Sequence, residues 1–304
     1  TSDKRKQIGR FIKWVFPCHP VLLTLFATLN VVTIREQNWI VLLVRFNRRT
    51  KFGEHVGTVE IPGNMSKALG FTLGTKHTAR FVCTTDEVAN QIASFYPGAM
   101  SESNQIELGP VIDRLGKIDF VFIGPSDPEA MIKHTEEAKQ RKIAFIADPS
   151  QQMARMDGKQ IAQLIDGAEY LFMNEYESSL IEKKVGWNTD ELMKRVGTVV
   201  TTLGAKGARI QSKHETIATV ACPPEAERID PTGVGDSFRA GYLAAHSWGL
   251  IPERCAQVGS MLATYVIETV GTQEYSFTNT EFVQRFSSFY GADAASEIEK
   301  HLVK

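Results

Sequence analysis

From residue 105 the chain alternates between short apolar runs and longer stretches in which apolar residues recur at helical spacing. The apolar runs predict buried strands, and the three- and four-residue spacing predicts amphipathic helices. Because the two kinds of element alternate, we expect a mostly parallel sheet with helices on both faces. The predicted strands are 120–124, 144–148, 170–174 and 198–202, and helices are predicted at 128–139, 158–165 and from 175 onwards.

The pattern before residue 105 predicts strands without intervening long helices. The apolar runs 21–33 and 39–46 have the Val, Ile, Leu and Phe content of buried strands. Residues 77–84 alternate with period two, and 91–96 form a second candidate strand, so the two are expected to form a hairpin. Phe81 and Phe95 would share one face of it, either as core aromatics or as a platform for a flat ring such as a purine.

Three more helices are predicted near the end of the chain, at 260–270, 281–290 and 294–302. We expect residues 1–304 to form a single α/β domain with a small β lid, built from about 77–96 and part of the N-terminal region. In such sheets ligands bind beyond the carboxyl ends of the strands. Polar or glycine residues at those ends are therefore the first candidates for a site: Asp127, Asp148, Asn174, Glu177, Thr202 and Gly204.

Composition and charge narrow the class of protein. The chain has 304 residues, of which 43% are hydrophobic and 23% charged, and its net charge is −1. These values are typical of a soluble globular protein and give no reason to expect nucleic acid or a membrane surface as a partner. The apolar run 21–32 is too short to span a bilayer.

The cysteines indicate a reducing compartment. Their spacing matches no metal-binding pattern, so we expect free thiols and a cytoplasmic location. The four residues are Cys18, Cys83, Cys222 and Cys255.

Residues 228–241 predict a glycine-containing turn that leads into a helix. Gly233 and Gly235 leave their backbone N–H groups uncovered, and a helix N-terminus attracts anions such as phosphate. A carboxylate at Asp236 opposes phosphate binding, but it suits a base that takes a proton from a nucleophile attacking phosphate. The alternative is that Asp236 is simply the N-cap of the helix. No glycine follows at the third position of the dinucleotide-binding fingerprint, which disfavours a Rossmann dehydrogenase.

Two further segments follow predicted strands. Asn174 and Glu177 are three residues apart, so they either help to place Mg²⁺ through bound water or form an N-terminal capping box. Residues 202–207 contain two glycines directly after a strand and, taken alone, predict a hairpin loop.

The run Asp230-Pro231-Thr232-Gly233-Val234-Gly235-Asp236 resembles the D-x-T-G-A-G-D motif of the ribokinase (PfkB) family of sugar and nucleoside kinases. Asn174 and Glu177 are similar to the N-x-x-E motif of that family, and 202–207 is similar to its T-x-G-x-x-G segment. The resemblance implies a ribokinase-like three-layer α/β/α sandwich with a β lid. It also implies ATP and Mg²⁺, and a monovalent cation such as K⁺.

The resemblance assigns roles to individual residues. Asp236 would be the general base, and Gly233, Val234 and Gly235 would form the anion hole. Asn174 and Glu177 would place Mg²⁺ through water. The residues expected to bind ATP are Asn174, Thr202, Leu203, Gly204, Ala205, Lys206, Gly207 and Gly235. The helix expected to begin at Gly259–Ala263 would pack against the adenine ring.

On the acceptor side, four segments resemble the actinobacterial adenosine kinase branch of this family: 77–81, 91–100, 148–152 and 271–274. The resemblance implies that adenosine is phosphorylated on its 5′-hydroxyl to give AMP in purine salvage, and that a homodimer forms through the lid. The residues expected to bind the substrate are Phe81, Phe95, Gln151, Gln152, Arg155, Gly63 and Asn64.

The opening of the chain departs from the family pattern. Residues 1–60 contain no counterpart of the Asp that holds the sugar hydroxyls, and Val59 and Glu60 stand where a glycine pair is expected. This leaves two alternatives open beside an adenosine kinase. One is a kinase of another sugar or nucleoside, such as ribose, and the other is a nucleotide-binding protein without catalytic activity.

Overall fold

The computed structural model describes residues 32–34, 39–42, 76–77, 79–85, 91–115, 118–212 and 215–302. Its strands in these ranges are β1 (Val32–Ile34), β2 (Trp39–Leu42), β3 (Arg80–Thr85), β4 (Gln91–Tyr96), β5 (Phe120–Ile123), β6 (Ala144–Ala147), β7 (Tyr170–Asn174), β8 (Thr198–Thr202), β9 (Ala208–Ser212) and β10 (Glu215–Val220). The strands predicted at 120–124, 144–148, 170–174 and 198–202 are therefore confirmed to within one residue.

Eight of these strands form one sheet in the order β1-β2-β5-β6-β7-β8-β9-β10. Strands β2, β5, β6, β7 and β8 run parallel to their neighbours in this series, as the βα alternation predicts. Strands β1, β9 and β10 pair antiparallel and extend the two sides of the sheet. Strands β9 and β10 were not assigned from the sequence pattern.

The helices of the described residues follow the strands in the expected alternation. They are α1 (Leu108–Leu115), α2 (Pro128–Gln140), α3 (Gly158–Ile165), α4 (Glu175–Val185), α5 (Thr189–Met193), α6 (Val234–Ser247), α7 (Pro252–Ile267), α8 (Asn279–Tyr290) and α9 (Ala292–Glu299). The predicted start of a helix at Gly259 or Ser260 is wrong. Helix α7 begins with Pro252 in its first turn, where a proline costs no helical hydrogen bond.

The central strands are buried on both faces, which explains why they are almost continuously apolar. Alternate residues contribute to two separate cores, one on each side of the sheet. One face carries Phe122, Ile146, Phe172 and Val200, packed with residues of α6 to α9. The other carries Val121, Phe145, Leu171 and Val199, packed with residues of α1 to α5. The sheet and its two helical layers thus form the predicted three-layer sandwich.

Helices α6 and α7 approach each other closely through two glycines. A Cβ at Gly241 would lie 2.8 Å from the Cα of Gly259, and a Cβ at Gly259 would lie 2.6 Å from the carbonyl oxygen of Phe238. Residues 259–263 are all buried in this helical layer. Gly259 therefore serves helix packing in the middle of α7 rather than the start of a helix.

Strands β3 and β4 form a separate two-stranded antiparallel sheet, as the hairpin prediction requires. Several predictions lie outside the described residues: Gly63 and Asn64, most of the run 21–33 and half of the run 39–46. Among the described residues, the helices are too short or too polar to cross a membrane.

Candidate active site

Three predicted residues meet at the carboxyl ends of the parallel strands. Asp148 follows β6 directly, and Asn174 and Thr202 are the last residues of β7 and β8. Asn174 and Thr202 are paired opposite each other in the sheet. The glycine-rich turn before α6 reaches this edge, because Arg239 of α6 contacts Asp148. The structure therefore joins the 148, 174, 202 and 236 segments at one end of the sheet.

The glycine-rich turn is held by Asp230 at its beginning. Oδ1 of Asp230 accepts a hydrogen bond from the backbone N–H of Thr232 at 2.9 Å, and Oδ2 accepts one from Gly271 at 3.0 Å. Burial opposes the charge, but these hydrogen bonds outweigh it and lower the pKa of Asp230. Gly233 has φ of 85°, a left-handed conformation that suits glycine. The turn is thus tied to the loop that follows α7.

Asp236 is not the N-cap of α6. Gly233 occupies the cap position and has no side chain that could cap the helix. The interpretation of Asp236 as the N-cap is therefore wrong. Val234, Gly235 and Asp236 follow as the first three helical residues. The first N–H groups of a helix have no acceptor within it, although that of Val234 makes a long bond of 3.3 Å to the carbonyl of Pro231. The start of α6 therefore has no side-chain cap, and the carboxylate of Asp236 lies in its first turn.

The carboxylate of Asp236 combines exposure with desolvation. The residue is accessible to solvent. Enough protein nevertheless surrounds it that desolvation raises its pKa, with the positive charge of Arg239 acting in the opposite direction. A carboxylate that is accessible and whose pKa is raised is a candidate for proton transfer.

A buried ion pair links α6 to β6. Nη2 of Arg239 donates a hydrogen bond to Oδ1 of Asp148 at 2.8 Å, and Nε of Arg239 contacts Oδ2. Asp148 is 2% exposed and Arg239 8%. Burial raises the pKa of Asp148 to about 7, Arg239 opposes this shift, and Glu177 and Asp236 add to it. Arg239 was not singled out from the sequence, although its position three residues after Asp236 puts it on the same side of the helix.

Asn174 and Glu177 form the capping box of α4. Oδ1 of Asn174 accepts a hydrogen bond from the backbone N–H of Glu177 at 2.8 Å, and Oε2 of Glu177 accepts one from the N–H of Asn174 at 2.8 Å. The interpretation of these two residues as an N-terminal capping box is therefore confirmed. Glu177 is nevertheless buried and acts electrostatically on Asp148 and Arg239. Its charge belongs to the cluster at the end of the sheet.

This cluster contains three carboxylates and one guanidinium, and so carries an excess of negative charge when all are ionised. The carboxylates are those of Asp148, Glu177 and Asp236. Among the described residues no three His, Cys, Asp or Glu side chains are arranged to ligate a metal directly. The excess of negative charge fits a hydrated Mg²⁺, which keeps several waters and needs few protein ligands.

The segment 202–207 connects β8 to β9 as the predicted hairpin loop. Its middle, Gly204–Lys206, forms a 3-10 turn, and all three of these residues are exposed. The N–H of Leu203 donates to the carbonyl of Gly207 at 2.8 Å, which closes the loop. Gly207 has φ of 99° and lies against the backbone of Val220, so only glycine fits there. The loop presents open backbone at the same end of the sheet as Asn174.

The hairpin places Phe81 directly opposite Phe95. Both side chains therefore lie on one face, and they are 48% and 37% exposed. The alternative that they are core aromatics is wrong. An exposed pair of aromatic rings on one face of a small sheet can stack on a planar ligand.

The segment after Asp148 is a short 3-10 helix, Ser150–Ala154. Gln152 is 3% exposed, and its Oε1 has no hydrogen-bond partner among the described residues. Gln151 and Arg155 are exposed. The ammonium group of Lys184 donates to three carbonyl groups at the end of this segment, which holds it in place. They are those of Met153 at 2.7 Å, Ala154 at 3.0 Å and Met156 at 2.8 Å.

The sequence of this chain is similar to those of known kinases. Residues 72–279 match the family model described as pfkB family carbohydrate kinase. A nucleoside kinase of Methanocaldococcus jannaschii is 31% identical over 201 residues, which cover 66% of this chain and 64% of that protein. The chain thus spans just under two thirds of the length of that relative.

Solved structures also resemble the chain. A nucleoside kinase of Burkholderia thailandensis in complex with inosine is 33% identical over 71% of each chain, with a TM-score of 0.67. The nucleoside kinase of Methanocaldococcus jannaschii, described as an archaeal member of the ribokinase family, is 28% identical over 70% of this chain and 69% of that one, with a TM-score of 0.62. The predicted ribokinase-like fold is confirmed. The resemblance predicted from the sequence is confirmed for nucleoside kinases, not for actinobacterial adenosine kinases in particular.

Proposed function

Because the chain belongs to the pfkB family of carbohydrate kinases, we propose that it is an ATP-dependent kinase that phosphorylates the 5′-hydroxyl of adenosine to give AMP. The observation that carries this proposal is the position of Asp236. Its carboxylate lies in the first turn of a helix that begins at a glycine, where an N-cap role is ruled out. A partly desolvated carboxylate beside an anion-binding turn is suited to accept the proton of an attacking hydroxyl.

In the proposed reaction the 5′-oxygen forms a bond to the γ-phosphorus of ATP while the bond between that phosphorus and ADP breaks. The hydroxyl proton passes to the carboxylate of Asp236 and then to solvent. The N–H groups of Gly233, Val234 and Gly235 stabilise the negative charge on the transferring phosphoryl group. Such preorganised donors contribute about 10²–10³ each to the rate.

ATP would bind along the segments 174 and 202–207, which lie at the same end of the sheet as the turn. Asn174 and Glu177 are occupied by their capping box, so they would hold Mg²⁺ through water, as the sequence suggests. Mg²⁺ supplies neutralisation of the phosphate charge in such enzymes. The monovalent cation has no residues assigned to it and stays a prediction.

The acceptor side supports a nucleoside rather than a bare sugar. Phe81 and Phe95 offer a stacking surface for a base, and the unpartnered Oε1 of Gln152 suits an amine or hydroxyl donor of the ligand. Gln151 and Arg155 flank it in the same segment. Adenosine is the proposed acceptor, and other nucleosides such as inosine, or ribose, are the alternative.

A second alternative is a nucleotide-binding protein without catalytic activity. The departure of residues 1–60 from the family pattern favours it, and the intact Asp236 turn argues against it. The proposed location is the cytoplasm, with which the free thiols Cys222 and Cys255 are consistent.

The deciding experiment is phosphoryl transfer from Mg-ATP to adenosine, guanosine, inosine and ribose, measured side by side. We expect transfer to adenosine above the other three. Transfer mainly to another acceptor would support the kinase activity and contradict adenosine as the substrate. ATP binding without transfer to any of them would favour the non-catalytic alternative.

A further inference from the structure

The ion pair between Arg239 and Asp148 joins two parts of the site that are 91 residues apart in sequence. Asp148 begins the segment that contains Gln151 and Gln152, and Arg239 lies in the helix that carries Asp236. Both partners are nearly fully buried, and the guanidinium approaches both carboxylate oxygens. We call this arrangement, in which two guanidinium nitrogens approach the two oxygens of one carboxylate, a fork. A fork defines the orientation of the two groups as well as their distance.

Arg239 also contacts the glycine-rich turn. Its side chain runs back toward the start of α6, as helical side chains do. A Cβ at position 235 would lie 2.8 Å from Nη1 of Arg239, so the guanidinium occupies the space that a side chain at 235 would need. Gly235 therefore has a second reason to be glycine besides its uncovered N–H group.

Three negatively charged side chains interact with the guanidinium of Arg239. Asp148 follows β6, Glu177 lies in α4, and Asp236 lies in α6, and each interacts electrostatically with Arg239. Arg239 is thus a cation that interacts with carboxylates from three separate parts of the chain, in direct contact with that of Asp148. Without it, the carboxylates would repel one another in a poorly solvated region.

We propose that Arg239 is the positioning residue that aligns the acceptor-binding segment after Asp148 with the general base and the anion-binding turn of α6. This inference rests on the proposed function. Arg239 does not take part in the bond changes of the transfer. It acts through Asp148 on one side and through the first turn of α6 on the other, so that the acceptor oxygen, Asp236 and the turn keep one geometry. Misplacement of reacting groups by about 1 Å can cost about 100-fold in rate.

The test is Arg239→Lys, which keeps the positive charge and removes the fork. With adenosine as the varied substrate, we expect the KM for adenosine to rise and kcat to fall. Together these changes should lower kcat/KM by about 10- to 100-fold. The KM for ATP should rise less than that for adenosine, because Arg239 is hydrogen-bonded to Asp148 on the acceptor side and only lies beside Gly235 of the turn. A variant that is merely less stable would lose active protein, which lowers the apparent kcat and leaves both KM values unchanged.

Arg254→Lys is the matched control. Arg254 makes a similar fork to Glu297, with Nε at 3.1 Å from Oε2 and Nη2 at 3.2 Å from Oε1, and the pair joins α7 to α9. Among the described residues its hydrogen-bond partners are Glu297 and Gln257, which lie outside the candidate site. We expect its kinetic constants to equal those of the wild-type chain, while thermal unfolding reports the stability effect of losing a fork.

A double-mutant cycle tests whether Arg239 acts through Asp148. If it does, Arg239→Lys and Asp148→Asn should not be additive, and the double variant should be no worse than the more impaired single variant. Additive effects on kcat/KM, or an adenosine KM in Arg239→Lys equal to that of the wild type, would overturn the proposal.

Calorimetric titration with adenosine separates this proposal from the proposed function. If the wild-type chain transfers no phosphate to any acceptor, the kinase proposal fails, and adenosine affinity still decides the role of Arg239. Weaker adenosine binding in Arg239→Lys than in Arg254→Lys supports the positioning role. Equal binding in the two variants, or no adenosine binding by the wild-type chain, refutes it.

Discussion

At the scale of single residues, the candidate site contains carboxyl groups in surroundings that disfavour their charged form. Asp236 is a carboxylate in the first turn of a helix that has no side-chain cap, and desolvation raises its pKa. Asp148 is a carboxyl group at 2% exposure with an arginine as its partner. Carboxyl groups whose pKa is raised in this way cluster at functional sites.

Replacing Asp236 by Asn tests the general base. Asn has nearly the same shape but cannot accept the proton, so turnover should fall by about 10²–10⁴. ATP affinity should stay close to that of the wild type, because the backbone of the turn is unchanged. Steady-state kinetics and calorimetric ATP titration measure the two quantities. Turnover near the wild-type value would show that Asp236 is not the base.

Replacing Phe81 by Ala tests the stacking surface. A purine that stacks on the ring should lose about 1–3 kcal/mol of binding free energy, whereas ribose should hardly be affected. Ile92→Ala is a suitable control, since Ile92 is 82% exposed in the same hairpin, and strand alternation puts it on the opposite face from Phe81. Equal effects of both variants on adenosine KM would contradict a specific stack.

At the scale of elements, helix starts determine the chemistry of this sheet edge. Helix α4 begins with a complete capping box, whereas α6 begins with a glycine and no side-chain cap. The first N–H groups of α4 are therefore partly used by side chains, whereas the cap residue of α6 supplies no side chain to its first N–H groups. The opposite face of the hairpin carries exposed Val82, Ile92 and Tyr96, and the homodimer expected through the lid stays a prediction.

Glu177→Gln separates the capping role from the proposed role in placing Mg²⁺. Gln keeps an oxygen that can accept from the N–H of Asn174, so helix stability should change little. The loss of charge should raise the Mg²⁺ concentration needed for half-maximal activity by about tenfold or more. Asn174→Ala provides the contrast, because loss of the cap should cost about 0.5–2 kcal/mol of stability. An unchanged Mg²⁺ requirement in Glu177→Gln would mean that Glu177 caps the helix and does not help to place Mg²⁺.

At the scale of the whole molecule, buried histidines couple stability to pH. Burial lowers the pKa of His246, whose Nε2 lies 2.9 Å from the hydroxyl of Tyr170. His134 is more fully buried than the half-buried His246, and its pKa is also lowered chiefly by desolvation. In the unfolded chain both residues take up a proton near pH 6.5. The native state then holds fewer protons than the unfolded state, so these groups make the fold less stable as pH falls below about 6.5.

His246→Gln tests this coupling, since Gln can keep a hydrogen bond to Tyr170 but does not titrate. The difference in unfolding free energy between wild type and variant should shrink as pH falls from about 7 to 5, by at most about 1.4 kcal/mol per pH unit. Taking the difference cancels the opposite contribution of Asp148, whose raised pKa favours the folded state at low pH. Urea unfolding at several pH values measures it. A difference that does not vary with pH would mean that His246 titrates normally.

Several features of this protein follow from its sequence alone. The period of the apolar residues predicts the central strands and the helices between them, because periodicity reports the local hydrogen bonding of each element. The glycines and Asp236 predict a turn suited to an anion, since glycine and carboxylate chemistry act over a few residues. Boundaries were less well predicted: α7 begins at Pro252 rather than near Ser260.

Only the tertiary structure decided which of the local alternatives holds. It excludes Asp236 as a cap, shows Asn174 and Glu177 in a capping box, and exposes Phe81 and Phe95 together on the lid. It also brings Arg239 to Asp148 across 91 residues of chain. Such contacts depend on the order of strands in the sheet and on which helices cover each face. A local pattern contains neither, so the charge cluster of this site emerges only when the chain is folded.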